Sequence, residues 1–112
     1  MIVHAKICGI NDANAMQAAV AAGAQYVGLV FYPPSPRALN PDQAAELGIH
    51  IPDEVTTVGL FVDPDDELVD DVLAKVSLGL LQLHGSENPA RCQELRARTG
   101  LPVMKAIKVT DQ

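Results

Sequence analysis

Short apolar runs alternate along the chain with longer amphipathic segments, and proline, glycine or asparagine separates most of them. The apolar runs are typical of strands buried on a sheet, whereas the longer segments repeat apolar positions every three or four residues, as helices do. The predicted strands lie at about 3–8, 26–31, 55–62, 78–84 and 102–109. The resulting order, β-α-β-α-β-α-β-α-β, indicates parallel strands joined by right-handed crossovers.

Capping residues mark the predicted helix starts. Asn11 or Asp12 can cap the first helix, and Asn40-Pro41-Asp42-Gln43 has the form of a capping box for the second. Asp63-Pro64 and Asn88-Pro89 give the same cap-then-proline signal for the third and fourth. We therefore interpret Asp63 as a helix cap and not as a catalytic carboxylate. Three glycines are expected to close helices: Gly23, Gly48 and Gly100.

Two architectures fit this pattern. An open, doubly wound sheet of the flavodoxin type is complete with five strands. An eight-stranded (β/α)8 barrel needs about 250 residues, so a chain of 112 residues would supply about its first half. Periodicity and length alone favour the open sheet, because a half barrel leaves two strand edges unpaired.

Composition narrows the class of protein. The formal net charge is −6 and there is no run of Lys or Arg, so binding to nucleic acid through its phosphates is not expected. Two cysteines do not form a disulfide framework at this length, which favours a reducing compartment. No signal peptide and no apolar run long enough for a bilayer is present. We expect a soluble, cytoplasmic protein without a nucleic-acid or membrane partner.

Polar residues gather where the predicted strands end. Cys8 ends the first strand, Arg37 follows the second in a proline-rich loop, and Gln82 and His84 end the fourth. Parallel strands bring these ends to one rim, where ligands and catalytic groups collect. Lys6 shares a strand face with Cys8, as Gln82 does with His84. Polar groups on one face near the carboxyl end suit a barrel with an interior pocket, against the preference from length.

Each candidate also has a structural interpretation. A free cysteine is most often a small buried apolar residue, and a loop arginine is most often exposed. Gln82 and His84 can equally belong to a satisfied hydrogen-bond network. His4, Cys8, His84 and Cys92 lack the paired spacing of a zinc site, and the acidic run 63–67 lacks the pattern of a calcium loop. No metal site is predicted.

Four segments resemble successive strand motifs of the phosphoribosylanthranilate isomerase family, in that family's order and spacing. They are Lys6-Ile7-Cys8-Gly9-Ile10, then Val27-Gly28-Leu29-Val30-Phe31 with Ser35-Pro36-Arg37, then Val58-Gly59-Leu60-Phe61-Val62, and Leu81-Gln82-Leu83-His84-Gly85. The resemblance implies a TIM barrel of which residues 1–112 form a single partial domain, the amino-terminal half (βαβαβαβαβ).

The family is one of intramolecular aldose–ketose isomerases in tryptophan biosynthesis. The resemblance implies an Amadori rearrangement of N-(5-phosphoribosyl)anthranilate to 1-(2-carboxyphenylamino)-1-deoxyribulose 5-phosphate, without a cofactor. Cys8 matches the family's general base, and Arg37 matches the arginine at the anthranilate end of the site. Gln82 and His84 are expected to position the phosphorylated sugar–anthranilate substrate. Lys6, two residues before Cys8, is expected to line the same site and to favour the thiolate.

The resemblance also implies what the chain lacks. The family's general acid ends its sixth strand, and its phosphate-binding groups lie in the last two βα loops; neither has a counterpart in this sequence. We therefore expect an amino-terminal fragment, inactive by itself, that associates with a second copy or with the missing carboxyl-terminal half. The alternative is a non-catalytic flavodoxin-like module that binds a small ligand or a protein partner.

Overall fold

Parallel strands and helices alternate throughout the part of the chain that the computed structural model describes, which is residues 6–8, 12–32, 34 and 38–105. The strands are β1 Lys6–Cys8, β2 Tyr26–Val30, β3 Thr56–Phe61, β4 Leu80–Leu83 and β5 Val103–Lys105. The helices are α1 Ala13–Ala21, α2 Pro41–Gly48, α3 Asp66–Lys75 and α4 Pro89–Thr99. None of these helices is both long and apolar enough to cross a membrane.

The described strands form one sheet whose order is β1-β2-β3-β4-β5, and every neighbouring pair is parallel. Right-handed crossovers that continue in one direction place every helix on the same face of the sheet. A doubly wound sheet reverses direction at a switch point and has helices on both faces. The flavodoxin-like expectation is therefore wrong, and the partial (β/α)8 barrel is confirmed. Chain length favoured the wrong architecture because it took account only of the unpaired strand edges of a half barrel. The polar residues on one strand face indicated the correct one.

One face of the sheet lies beneath all four helices. Its strand residues join the helix residues in a single buried apolar cluster. The strands contribute Val27, Leu29, Phe61, Leu81, Leu83 and Val103, and the helices contribute Met16 and Ala19, Ala44 and Leu47, Val69 and Val72, and Cys92 and Leu95. Burial of these apolar side chains makes the largest favourable contribution to the free energy that holds the helices on the sheet. Cys92 is a core residue, as predicted.

The other face of the sheet is covered less completely. Val58 is fully buried there, but Val30, Leu60 and Leu80 are only partly buried, and Met104 is 49% exposed. In a (β/α)8 barrel this face lines the interior, where side chains from alternate strands stack in layers.

Most predicted caps are confirmed. Asp12 caps α1 through a hydrogen bond of 2.7 Å from the Ala15 N–H, and Asn40 forms the full capping box with Gln43. Asn88 caps α4, which ends at Gly100 in the left-handed conformation (φ 71°). The cap of α3 was predicted wrongly: Asp65 accepts from the Leu68 N–H at 2.8 Å, two residues beyond the predicted Asp63.

Ion pairs join neighbouring helices at the surface. Lys75 of α3 lies 2.6 Å from Asp42 of α2, and Arg98 of α4 lies 2.6 Å from Asp70 of α3. Exposed pairs of this kind contribute little stability because solvent screens them and long side chains must be ordered. The buried cluster, not these pairs, sets where the helices lie.

Candidate active site at the carboxyl ends of the strands

Cys8 belongs to a row of paired backbone positions that crosses four neighbouring strands. Cys8 pairs with Gly28, Gly28 with Val58, and Val58 with Leu80. Lys6 stands two residues earlier in β1. Cys8 is therefore at the carboxyl end of β1, the position predicted from the sequence.

Gln82 and His84 lie at the same rim. Gln82 is half-buried in β4, two residues beyond Leu80, where it pairs with Leu60 and Met104. His84 follows β4 with an exposed side chain, and its N–H donates to the Phe61 carbonyl at 2.9 Å. Since β1 and β4 are three strand spacings apart, about 14 Å along a flat sheet, curvature is needed to bring these groups to one ligand.

Arg37 lies outside the described residues, so its predicted contact with the substrate stays a prediction. The next residue in the chain, Ala38, forms a bridge with Val30 at the end of β2, and the Leu39 N–H donates to the Val30 carbonyl at 2.8 Å. The described part of this loop therefore returns to the carboxyl end of β2.

Sequence reasoning missed a buried carboxylate at this rim. The Glu87 side chain is 1% exposed. Its Oε2 accepts from the Asp63 N–H at 2.6 Å, while Oε1 accepts from the Gly85 N–H at 2.9 Å and from Lys105 Nζ at 2.7 Å. We call Asp63, Gly85, Ser86, Glu87 and Lys105 the rim clamp, because it joins the residues that follow β3 and β4 to the end of β5.

Close contact between two loops completes the rim clamp. Asp63 has a left-handed backbone (φ 44°), and its Oδ1 accepts from the Ser86 N–H at 2.8 Å. A Cβ on Gly85 would lie 2.5 Å from Asp63 Oδ2 and 2.8 Å from Asp63 N, so this position requires glycine. Lys105 Nζ also donates to the Gly85 carbonyl. Asp63 thus links two loops, which explains why it does not cap α3.

Glu87 is held as a carboxylate. Burial alone would raise the pKa of its carboxyl group. Hydrogen bonds from the Lys105 ammonium and from backbone N–H groups, together with the positive charge of Lys105, outweigh that effect and lower the pKa below the ordinary 4.5. The rim clamp therefore contains a negative charge at neutral pH.

One signal in the sequence could have revealed the rim clamp. Lys105 pairs with Leu83, which is fully buried beneath the helices, so a lysine stands at a strand position expected to be apolar. A charge at such a position requires a partner. The partner, Glu87, looked like an ordinary charged residue ahead of the Asn88 cap. Among the described residues, no group of three or more His, Cys, Asp or Glu side chains is placed to hold a metal ion.

Comparison with known proteins gives a consistent family. The family model for N-(5'-phosphoribosyl)anthranilate (PRA) isomerase matches residues 5–112. A protein of Paramagnetospirillum magneticum named N-(5'-phosphoribosyl)anthranilate isomerase is 59% identical over 111 residues, which are 99% of this chain and 52% of that protein.

Two crystal structures are also similar. The phosphoribosyl anthranilate isomerase of Thermotoga maritima is 37% identical with a TM-score of 0.89, over 98% of this chain and 53% of that one. A phosphoribosyl anthranilate isomerase in complex with reduced 1-(o-carboxyphenylamino)-1-deoxyribulose 5-phosphate has the same identity and TM-score, over 98% and 56%. The chain spans about half the length of the relatives that it matches.

Glu87→Gln is expected to lower the free energy of unfolding by about 1–3 kcal/mol, measured by urea denaturation at neutral pH. Glutamine offers one acceptor oxygen to the donors of the rim clamp, so a buried N–H loses its partner. Asp42→Asn is the matched control, because it breaks an ion pair of similar length that is exposed. Its free energy of unfolding should stay close to that of the unchanged chain. Equal losses in the two variants would contradict the assignment.

The effect of Glu87→Gln should also depend on pH. A carboxyl group whose pKa is lower in the folded chain contributes stability above its unfolded pKa and loses that contribution as the pH falls through its folded pKa. The difference in unfolding free energy between the unchanged chain and Glu87→Gln should therefore shrink as the pH falls below 4.5. A difference that persists undiminished into strong acid would show that the charge of Glu87 is not what stabilises the loops.

Proposed function

Since this chain belongs to the N-(5'-phosphoribosyl)anthranilate isomerase family, we propose that it supplies the amino-terminal half of the active site of such an enzyme. The reaction is the Amadori rearrangement of N-(5-phosphoribosyl)anthranilate to 1-(2-carboxyphenylamino)-1-deoxyribulose 5-phosphate, a cytoplasmic step of tryptophan biosynthesis. The observation that carries the proposal is the family match over residues 5–112, which includes all five described strands. The one-directional strand order supports it independently.

Cys8 is proposed as the general base. Opening of the ribose ring by an acid gives a Schiff base between C1′ and the anthranilate nitrogen, and a base then removes the proton from C2′. The resulting enol takes up a proton at C1′ and loses its C2′ hydroxyl proton to become the ketose, so the net change moves hydrogen from C2′ to C1′. A thiolate is the competent base, and the Lys6 ammonium, about 7 Å along the same strand, favours the thiolate over the thiol.

Substrate positioning is assigned to three other residues of the rim. Arg37 is proposed to hold the anthranilate carboxylate, since guanidinium groups bind carboxylates through two parallel hydrogen bonds. Gln82 and His84, at the carboxyl end of β4, are proposed to hydrogen-bond the substrate in the interior of the barrel. The acid and the phosphate-binding groups are assigned to the half of the family's length that this chain does not match.

Replacing Cys8 by alanine is expected to lower kcat/KM of the full-length gene product that contains this chain by at least about a hundredfold, the usual contribution of a general base. Growth of a tryptophan-requiring strain that lacks this isomerase is the first assay, and steady-state kinetics with N-(5-phosphoribosyl)anthranilate is the second. The gene product should restore growth, and Cys8→Ala should not.

Cys92→Ala is the matched control, because Cys92 is a thiol of α4 buried in the apolar cluster and is not among the proposed site residues. It should retain kcat/KM among the molecules that fold. Equal activity in the Cys8 and Cys92 variants would remove the general-base assignment. An unchanged pH dependence of Cys8 alkylation in Lys6→Met would remove Lys6 from the proposal.

The interior face of the sheet is the proposed contact surface for the rest of the barrel. Val30, Leu60 and Leu80 are only partly buried on this face, and Met104 is 49% exposed. The matched relatives are about twice as long as the matched region. We assign this face to the complementary half of the family's barrel; without that half, a second copy of this chain should cover it.

Sedimentation velocity tests this assembly. The 112-residue chain alone should form dimers or larger species as its concentration rises. Addition of the part of the Paramagnetospirillum magneticum relative that this chain does not match should replace them with a one-to-one complex, because matched edges and faces bury more apolar area. A folded monomer that neither self-associates nor binds the added polypeptide at any concentration would contradict the proposal.

A further inference from the structure

The backbone around His84 is fixed on both sides by contacts that involve no helix. The His84 N–H donates to the Phe61 carbonyl at 2.9 Å, at the end of β3. The next residue, Gly85, donates its N–H to Glu87 Oε1 at 2.9 Å and accepts from Lys105 Nζ at its carbonyl. The exposed side chain of His84 therefore projects from a backbone that Phe61 holds on one side and Glu87, through Gly85, holds on the other.

We propose that Glu87 is a positioning residue of the proposed isomerase site, which holds the turn after β4 so that His84 presents its hydrogen-bonding group at a fixed place for the substrate. This proposal rests on the proposed function. It adds a residue outside the set that the sequence predicted, and Glu87 acts through the turn and not by contact with the substrate.

Both carboxylate oxygens of Glu87 are needed because its donors come from separate elements. They are the Asp63 N–H after β3, the Gly85 N–H after β4 and Lys105 Nζ at the end of β5. A carboxylate has two oxygens with four acceptor sites, so it can join donors from three strands at one point. A neutral amide cannot accept from all of them.

The left-handed backbone of Asp63 supports the same inference. A non-glycine residue at φ 44° persists only where its surroundings hold it. Here the Glu87 carboxylate binds the Asp63 N–H, and the Ser86 N–H binds the Asp63 carboxylate. Gly85 leaves no space between the two loops for a side chain. Loss of the Glu87 charge would therefore release both loops at the rim, not one.

Glu87 bonds to loop backbone and to Lys105, whereas apolar side chains hold the helices on the sheet. Loss of Glu87 should loosen the rim while the strands and helices remain folded. A positioning role and a purely structural role therefore predict different kinetics among the folded molecules.

The test compares Glu87→Gln with the unchanged full-length gene product, with N-(5-phosphoribosyl)anthranilate as substrate. We expect kcat/KM to fall about ten- to hundredfold, because small displacements of positioning groups have effects of this size. Most of the loss should appear as a higher KM, since His84 binds the substrate in the proposed mechanism. Amide hydrogen exchange of Gly85 and Asp63 should accelerate, while that of Val72 in α3 should not.

Three further variants make the test specific. In a His84→Ala background, Glu87→Gln should change kcat/KM by less than about twofold, because both changes remove the same positioning. Lys105→Met keeps the two backbone N–H donors to Glu87 and should give a smaller rise in KM of the same kind, even if Glu87→Gln folds poorly. Asp42→Asn, which breaks an exposed ion pair between helices, should leave kcat and KM unchanged.

Each other outcome decides against the proposal. Faster exchange of Gly85 and Asp63 with an unchanged KM would make the rim clamp purely structural and would leave the isomerase assignment intact. Fully multiplicative effects of Glu87→Gln and His84→Ala would show that Glu87 does not act through His84. Absence of isomerase activity in the unchanged gene product would remove the proposed function itself, and the positioning role with it.

Discussion

The rest of this structure depends on one constraint: the helices bury only one face of the parallel sheet. The described strands follow one another across the sheet in chain order, so every crossover leaves its helix on the same face. That face is closed by aliphatic side chains from four helices, and it provides the main stabilising term. None of the described helices covers the opposite face, so side chains on that face need not be apolar. Gln82, which would be costly beneath a helix, can therefore lie on it.

The carboxyl rim is stabilised differently from the helix-covered face. There the contacts are polar and join loops from separate strands, and Glu87 lies at their centre with almost no exposure. A buried charge is favourable only with well-placed donors, so the rim clamp fixes loop geometry closely but tolerates little substitution. We infer that the sheet supplies stability, whereas the rim clamp supplies the precision that the proposed site needs.

Local signals in the sequence predicted the local structure well. Asn40-Pro41 and Asn88-Pro89 marked helix starts correctly, because a capping side chain contacts N–H groups only three residues away. The same signal failed at Asp63, because Glu87, 24 residues later, binds the backbone N–H of Asp63 and turns that residue away from the helix. The rim clamp as a whole was missed for the same reason: its partners are distant in the sequence. Polar residues at alternate strand positions, which share one face of the sheet, indicated the barrel. Chain length favoured the open, doubly wound sheet, which was wrong.

The central claim, that helices cover one sheet face and leave the other for the interior of a barrel, is tested most directly by thiol labelling of two adjacent residues of β4. Leu80 is partly exposed on the interior face, and Leu81 is fully buried beneath the helices. Each is replaced by cysteine in a chain whose own two cysteines are alanine. The account predicts that, at a concentration low enough for sedimentation to show a monomer, Leu80→Cys reacts at least about tenfold faster than Leu81→Cys with a small alkylating reagent. Equal and slow reaction at both positions, as expected for a sheet covered on both faces, would contradict it.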